Sequence, residues 1–289
     1  MPDEGKIETR LLAEPDVAEA MRLKEAAGWN QTEADWRRLL RLHPRGCFAA
    51  VVDGSLVATT TTTPYGRALA WVGMVLVDPG FRRRGIARSL VRAGLESLEA
   101  EGVATVKLDA TPEGATVYEG LGFEAELLIE RWAGAAGGHS SQAGAPGDAA
   151  PSTLSEQVFE FDRRAFGADR SELLKALSDE ACVEPSLRVG GDGLLRGYAL
   201  ARKGSQAVYV GPVVAGEPET ASSLIGDLLG RLGGGRVYVD LNTTFEGGAR
   251  ALAARGFVKQ RELIRMRSGE RTAAGTSRSV FAIAGPEVG

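Results

Sequence analysis

Val75-Leu76-Val77-Asp78-Pro79-Gly80-Phe81-Arg82-Arg83-Arg84-Gly85-Ile86-Ala87-Arg88 is the stretch whose reading sets the fold. An apolar run ends at Asp78-Pro79, a turn rich in Arg and Gly follows, and the turn opens directly into a helical pattern. The first turn of a helix carries N–H groups without intrahelical acceptors and a partial positive charge. Gly85 and Ala87 are small enough for a diphosphate to approach the backbone. Arg82, Arg83, Arg84 and Arg88 concentrate charge here, although the 289-residue chain has 34 Lys+Arg against 38 Asp+Glu and a net charge of −4. That contrast points to a local anion site and away from a general nucleic-acid or polybasic membrane surface. The competing account is a solvated arginine cluster at a helix start. No aromatic interleaving accompanies the arginines, which disfavours a single-strand nucleic-acid groove.

Outward from this stretch, the first half predicts helices over Val17–Ala27 and Thr32–Leu42. Strands Cys47–Val52 and Ser55–Thr63 follow, joined at the hairpin signal Asp53-Gly54. A strand Ala70–Val77 leads into the helix Gly85–Glu101. Then come a strand Val103–Asp109, a short helix Ala115–Leu121 and a strand Glu124–Trp132. The class is α/β, a mixed sheet with an antiparallel start and a strand–helix–strand unit at its centre.

Downstream stands Leu108-Asp109-Ala110-Thr111-Pro112-Glu113-Gly114-Ala115-Thr116-Val117-Tyr118-Glu119-Gly120-Leu121-Gly122-Phe123. Together the two stretches resemble the GNAT superfamily of N-acetyltransferases. Arg82-Arg83-Arg84-Gly85-Ile86-Ala87 is similar to its cofactor motif Q/R-x-x-G-x-G/A, with strand, loop and helix in the required order. Tyr118, Gly122 and Phe123 match its second motif, N-x-x-A-x-x-x-Y-x-x-x-G-F, with Thr111 at the Asn position and Gly114 at the Ala position. The resemblance implies acetyl-CoA as acyl donor and an amine as acceptor. The backbone of Arg83 through Arg88 would cradle the diphosphate, with Ile86 and Ala87 in its middle. Val75, Leu76 and Val77 would pair with the pantetheine arm as if it were another strand, and Thr111 keeps hydrogen-bonding capacity toward the cofactor.

Tyr118 is the candidate catalytic acid. Acetyl transfer expels a thiolate, and a phenol of ordinary pKa ~10 is protonated at neutral pH and able to donate; packing alone is the alternative for this tyrosine. An amine of pKa ~10.4 must lose a proton before it attacks. The strand Trp71–Val77 holds no carboxylate, so the general base is left open, with Asp109 and Asp35 as candidates beside a water relay or a less basic amine. On the acceptor side, Trp29 and Asp109 are the candidate substrate-binding residues. Asn30 with Glu33 reads as a capping box. Thr59–Thr63 reads as strand, with alternate hydroxyls able to face the groove.

The chain also repeats itself. Asp53-Gly54 recurs as Asp192-Gly193, Trp71-Val72-Gly73 as Tyr209-Val210-Gly211, Val106–Asp109 as Val237–Asp240, and Gly122-Phe123 as Gly256-Phe257. The order is kept and the spacing nearly constant, which predicts a duplicated domain. Ala133–Pro151 has no large apolar residue and much Gly, Ala, Ser and Pro, and reads as a flexible linker between residues 1–132 and 152–289. In the second copy, strand-like Tyr198–Ala201, Ala207–Val214 and Gly235–Leu241 keep the plan. Glu219–Leu224 stands where the anion loop would be, with no Arg or Gly, and Leu252 stands in the place of Tyr118. The chain as a whole resembles tandem GNAT proteins with an active first domain and a degenerate second one.

Two cysteines, Cys47 and Cys182, and two histidines, His43 and His139, give no metal-ligand spacing, so no metal is expected. The charged N-terminal stretch gives no secretory signal. The apolar run Ala68–Val77 falls short of the ~20 residues that span a bilayer. A cytoplasmic protein without nucleic-acid or membrane partners is the expectation.

Overall fold

The computed structural model describes residues 6–137, 154–272, 274–275 and 278–289. The first half contributes β1 (Glu8–Leu11), α1 (Val17–Ala26), α2 (Glu33–Leu42), β2 (Phe48–Val52), β3 (Ser55–Tyr65), β4 (Leu69–Val77), α3 (Ile86–Ala100), β5 (Thr105–Ala110), α4 (Pro112–Glu119) and β6 (Glu124–Ala135). The second half contributes α5 (Glu156–Phe166), α6 (Ser171–Asp179), β7 (Ser186–Val189), β8 (Leu195–Arg202), β9 (Val208–Ala215), α7 (Pro218–Arg231), β10 (Arg236–Asn242), α8 (Gly248–Ala253), β11 (Val258–Gly269) and β12 (Val280–Ala282). The fold is mixed α/β.

Packing divides the chain into two units. The first takes residues 1–125, 266–271 and 288, and the second takes 126–265, 272–287 and 289. In the first unit, β1 to β4 form an antiparallel meander and β5 joins β4 in parallel. On one face, α3 lays Ile86 and Leu90 against Ala50, Val52, Val57 and Ala58. That contact fixes where α3 begins relative to the end of β4. The neighbour of β5 is the end of β11: the Glu270 N–H donates to Ala104 O at 3.1 Å, and the Thr105 hydroxyl donates to Glu270 O at 2.8 Å. Gly269 is required at this crossing, because its φ is +89° and a Cβ would lie 2.2 Å from Ala104 O.

In the second unit β6 pairs antiparallel with β10, from Ile129–Asn242 through Ala135–Arg236. Ala133, Gly134 and Ala135 are thus strand residues. The boundary expected at 132 falls inside β6, residues 136–137 follow it, and residues 138–151 of the expected linker lie outside the described residues. The glycine in this strand has a packing reason: a Cβ on Gly134 would lie 2.6 Å from the Phe257 ring. Sheet order continues β10-β12-β9-β8-β7. β6, the last strand of the first sequence half, thus lies mainly in the second unit, and the end of β11, residues 266–269, lies in the first.

A buried ion pair ties β6 to β10. The Arg131 guanidinium meets the Asp240 carboxylate at 2.7 and 2.6 Å, and the Tyr209 hydroxyl adds a bond to Asp240 at 3.2 Å. Burial pushes the Asp240 carboxyl up, but Arg131 outweighs it and holds the group below the ordinary carboxylate range. Asp240→Ala strands Arg131 in the interior and is expected to cost about 3–5 kcal/mol in denaturant unfolding. Because the folded pKa is depressed, the pair stabilises fully above the unfolded carboxyl's ~3.9 and loses its contribution as pH falls through the lower folded value. Asp240→Asn is expected to flatten this part of the acid limb of a stability–pH curve.

Candidate active site

The parallel ladder of β4 and β5 joins Ala70 to Val106 and Trp71 to Lys107, and β4 then runs on to Val77 with no further β5 partner among the described residues. A bulge sits in this free stretch. Between the pairs Thr61–Gly73 and Thr59–Leu76, Thr60 alone faces Met74 and Val75. Met74 takes φ +50°, and its carbonyl accepts the Thr59 hydroxyl at 2.8 Å. A bulge re-aims the strand beyond it. Val75 and Val77 are half-buried and Leu76 is buried.

Asp78 closes the strand. Its N–H donates to Val57 O at 2.8 Å, and its carboxylate accepts the Gly80 N–H at 2.9 Å and the Arg22 guanidinium at 2.6 Å. Arg22, and secondarily the Gly80 amide, hold the Asp78 carboxyl below its ordinary value. A 3-10 turn, Pro79–Phe81, leads to Arg82. Arg83 then takes φ +62° and Gly85 takes φ +78°. A left-handed non-glycine residue costs about 1–2 kcal/mol, strain of the kind that collects at ligand clamps. Left-handed residues alternating with ordinary ones turn successive N–H groups to one side, the geometry of an anion nest.

Gly85 caps α3 without a side chain, the first turn holds no acidic residue, and the first backbone bond is Ser89 N–H to Gly85 O at 3.0 Å. The N–H groups of Ile86, Ala87 and Arg88 are the donors a helix start leaves over. Three of the arginine side chains have internal contacts. Arg82 Nε donates to Val77 O at 3.3 Å, the Arg84 guanidinium stands 5.2 Å from the centre of the Phe81 ring, and Arg88 donates to Gly120 O at 3.0 Å. Arg88 therefore fastens the end of α4 to the start of α3. Arg82, Arg83, Arg84 and Gly85 are all exposed.

Tyr118 lies on α4, 9% exposed, edge-on to Phe123 with ring centres 6.0 Å apart. Burial pushes its phenol well above the ordinary value, so the group is a proton donor throughout the neutral range. Its hydroxyl has no hydrogen-bond partner among the described residues. Thr111 is the N-cap of α4 and accepts the Gly114 N–H at 3.2 Å, which leaves its own O–H as a donor. α4 starts at Pro112, earlier than the expected Ala115, because this cap and a proline in the first turn set its beginning. Gly114 suits a tight place: a Cβ there would lie 3.3 Å from the Thr111 hydroxyl and 3.5 Å from the Tyr118 ring.

Several expectations on the acceptor side change. α2 is capped by Thr32, whose N–H and O–H donate to Asp35 at 2.7 and 2.9 Å; Asn30 with Glu33 is not the capping box. Glu33 instead pairs with Arg37 on the surface. Asp35 is buried and also accepts from Arg38, so its lone pairs serve the cap and leave a poor base. Thr59–Thr63 is wholly buried, with Thr59 and Thr62 bonded to the carbonyls of Met74 and Gly46. Asp109 is half-buried on β5 and engaged with its surroundings. Trp29 is half-buried just after Gly28, which ends α1 at φ +67°. Met74, Arg22 and Asp78 are contributors that motif reading passed over. Asp-Pro before the loop was a legible turn signal, but the contact with Arg22 spans too much sequence to read.

Residues 14–123 match the Acetyltransferase (GNAT) family, and residues 158–282 match an Acetyltransferase (GNAT) domain. A Bacillus subtilis protein named as the uncharacterized N-acetyltransferase YitH is 30% identical over 219 residues, 74% of this chain and 75% of that protein. The holothin acyltransferase of a Pseudoalteromonas species is 25% identical over 267 residues, 91% of this chain and 88% of that one. A putative acetyltransferase from Pyrococcus horikoshii superposes with a TM-score of 0.79 at 20% identity, over 100% of this chain and 98% of that one, a likeness of fold. The chain belongs to the GNAT acetyltransferase family, as a tandem of two such domains, and is an acyltransferase. Among the described residues no helix is long and apolar enough to cross a membrane.

The cap of α4 can be tested apart from chemistry. Thr111→Ala removes the acceptor for the Gly114 N–H and is expected to cost about 1 kcal/mol, within 0.5–2. Thr111→Ser is expected to recover most of it, measured as the shift in the urea midpoint.

Proposed function

We propose that the protein is an acetyl-CoA-dependent N-acetyltransferase acting on the amine of a small acceptor, with the chemistry carried by the first unit. The observation that carries this reading is the start of α3. Its N–H donors have no side-chain cap, no carboxylate stands in its first turn, and the left-handed Arg83 and Gly85 lead into it. The donor supplies an acetyl group activated as a thioester. The backbone of Arg83, Arg84, Gly85, Ile86, Ala87 and Arg88 would hold its diphosphate, with Arg82 and Arg83 adding positive potential. The free edge of Val75, Leu76 and Val77 would pair with the amides of the pantetheine arm, as a strand would.

Tyr118 would donate its proton to the departing sulfur, which the raised phenol pKa suits: the acid stays loaded at working pH. A backbone N–H of β4 near the bulge would stabilise negative charge on the acetyl oxygen. Asp35 is committed to the cap of α2, and β4 holds no carboxylate. The acceptor amine therefore loses its proton through water or is itself weakly basic, with Asp109 the nearest carboxylate along β5 and Trp29 a candidate apolar wall. Because one relative is named an acyltransferase rather than an acetyltransferase, the acyl group itself belongs among the variables of an acceptor screen.

Gly85→Glu places a side chain at a left-handed position and a negative charge in the nest, and is expected to abolish acetyl-CoA binding in calorimetry. Tyr118→Phe keeps the ring and removes the proton. It is expected to lower kcat by about 10²–10⁴-fold while the calorimetric Kd for acetyl-CoA stays within a few-fold; equal turnover would remove the acid role. CoA release in the presence of a panel of amines reads both.

A further inference from the structure

The second unit repeats the parting of parallel strands seen in the first, and its cleft is filled. β9 and β10 are joined in parallel at Val208–Val237 and Tyr209–Tyr238, as β4 and β5 are at their start. Beyond those pairs, β12 stands between them. Ala282 pairs with Leu241 on the β10 side, and Val280 and Ala282 pair with Val214 and Val213 on the β9 side. The Ala215 N–H donates to Ser279 O at 2.9 Å, and the Ile283 N–H donates to Asp240 O at 3.1 Å. Residues 280–284 are at most 2% exposed.

Side chains hold this segment from several directions. The Tyr209 hydroxyl donates to Ile283 O at 3.2 Å, and Arg202 donates to Ala284 O at 2.7 Å. Arg202 also pairs with Glu287 at 3.0 Å, both groups buried, and Arg170 donates to Gly289 O at 2.8 Å. The approach is close enough to dictate a residue: a Cβ on Gly211 would lie 2.1 Å from Ile283 O. By the sequence repeat, Gly211 is the counterpart of Gly73.

We infer that, in the second unit, the chain's own segment 279–284 occupies the cleft whose counterpart in the first unit receives the pantetheine arm. The protein thus carries one donor site per chain. This inference rests on the function proposed above. Diverging parallel strands leave N–H and C=O groups that must find partners. A bound donor supplies them in one unit, and β12 supplies them permanently in the other. The entrance to the second cleft is hostile to phosphate as well. α7, the counterpart of α3, has Glu217 as its N-cap and Glu219 in its first turn. Both carboxylates repel an anion where α3 has none. Leu252, in the place of Tyr118, offers no proton.

The test is acetyl-CoA titration of the full chain by calorimetry, beside hydrogen exchange of the same protein with and without the ligand. One equivalent is expected for the wild type and none for Gly85→Glu. The Ala215 and Ile283 amides are expected to exchange slowly without ligand and within two-fold of that rate at saturation, while the Val75–Val77 amides slow at least ten-fold on binding. Two equivalents, or one that survives Gly85→Glu, would overturn the inference, as would ligand-dependent slowing at Ala215. Fast exchange of Ala215 and Ile283 in the free protein would overturn it too. Absence of any binding, with those two amides still slow, would instead sink the proposed function and leave the filled cleft standing. Gly211→Ala is expected to speed Ile283 exchange at least ten-fold by unseating β12, and an unchanged rate would count against the close seating.

Discussion

Two parallel strands that separate leave a row of polar backbone groups facing a gap. Water can serve them on a surface, but beside a packed core each needs a partner. In this protein, such a wedge opens where β4 leaves β5, and the proposed function is built on it. The bulge at Met74 aims the free edge of β4, Asp78 and Arg22 fix where the strand stops, and Ile86 and Leu90 of α3 fix where the next helix starts. In the function proposed above, the donors at that helix start and along the strand edge would serve one extended, polyamide, anionic molecule.

Electrostatics is local here. The chain carries a net charge of −4, so its long-range field does not attract anions. At the start of α3, by contrast, a few N–H groups carry partial positive charge that no carboxylate in the first turn offsets. Three of the arginines contribute as much by fastening as by charge, since Arg82, Arg84 and Arg88 contact the strand end, Phe81 and the end of α4. Tyr118 follows the same logic in reverse. Burial keeps its proton on throughout the neutral range, and in the proposed reaction it would pass to the departing sulfur.

Much of this was legible in the sequence because it is local. The strand, the Arg/Gly turn, the helix start at Gly85 and the phenol on α4 all depend on near neighbours. So does the duplication, since paired strands and glycines recur in order. What was not legible depends on partners distant in sequence. Asn30 and Glu33 carried as good a cap signal as Thr32 and Asp35, and the structure caps α2 with Thr32 while Arg38 also bonds Asp35. Alternation says which face of β6 is buried but not which edge it will join, so the pairing with β10 and the extent of strand to Ala135 could not be read. For the same reason a three-residue strand, β12, left no signal.

The exchange of β6 and of the end of β11 between the units has a consequence for inheritance. A gene cut between its repeats would encode a first half lacking residues 266–271 beside β5, and a second half lacking the partner that β6 gives to β10. Each fragment would expose a raw sheet edge, which invites aggregation. Once the exchange had arisen, shedding either copy would no longer have been a simple deletion. Each repeat is retained because its sibling's architecture is finished with borrowed backbone.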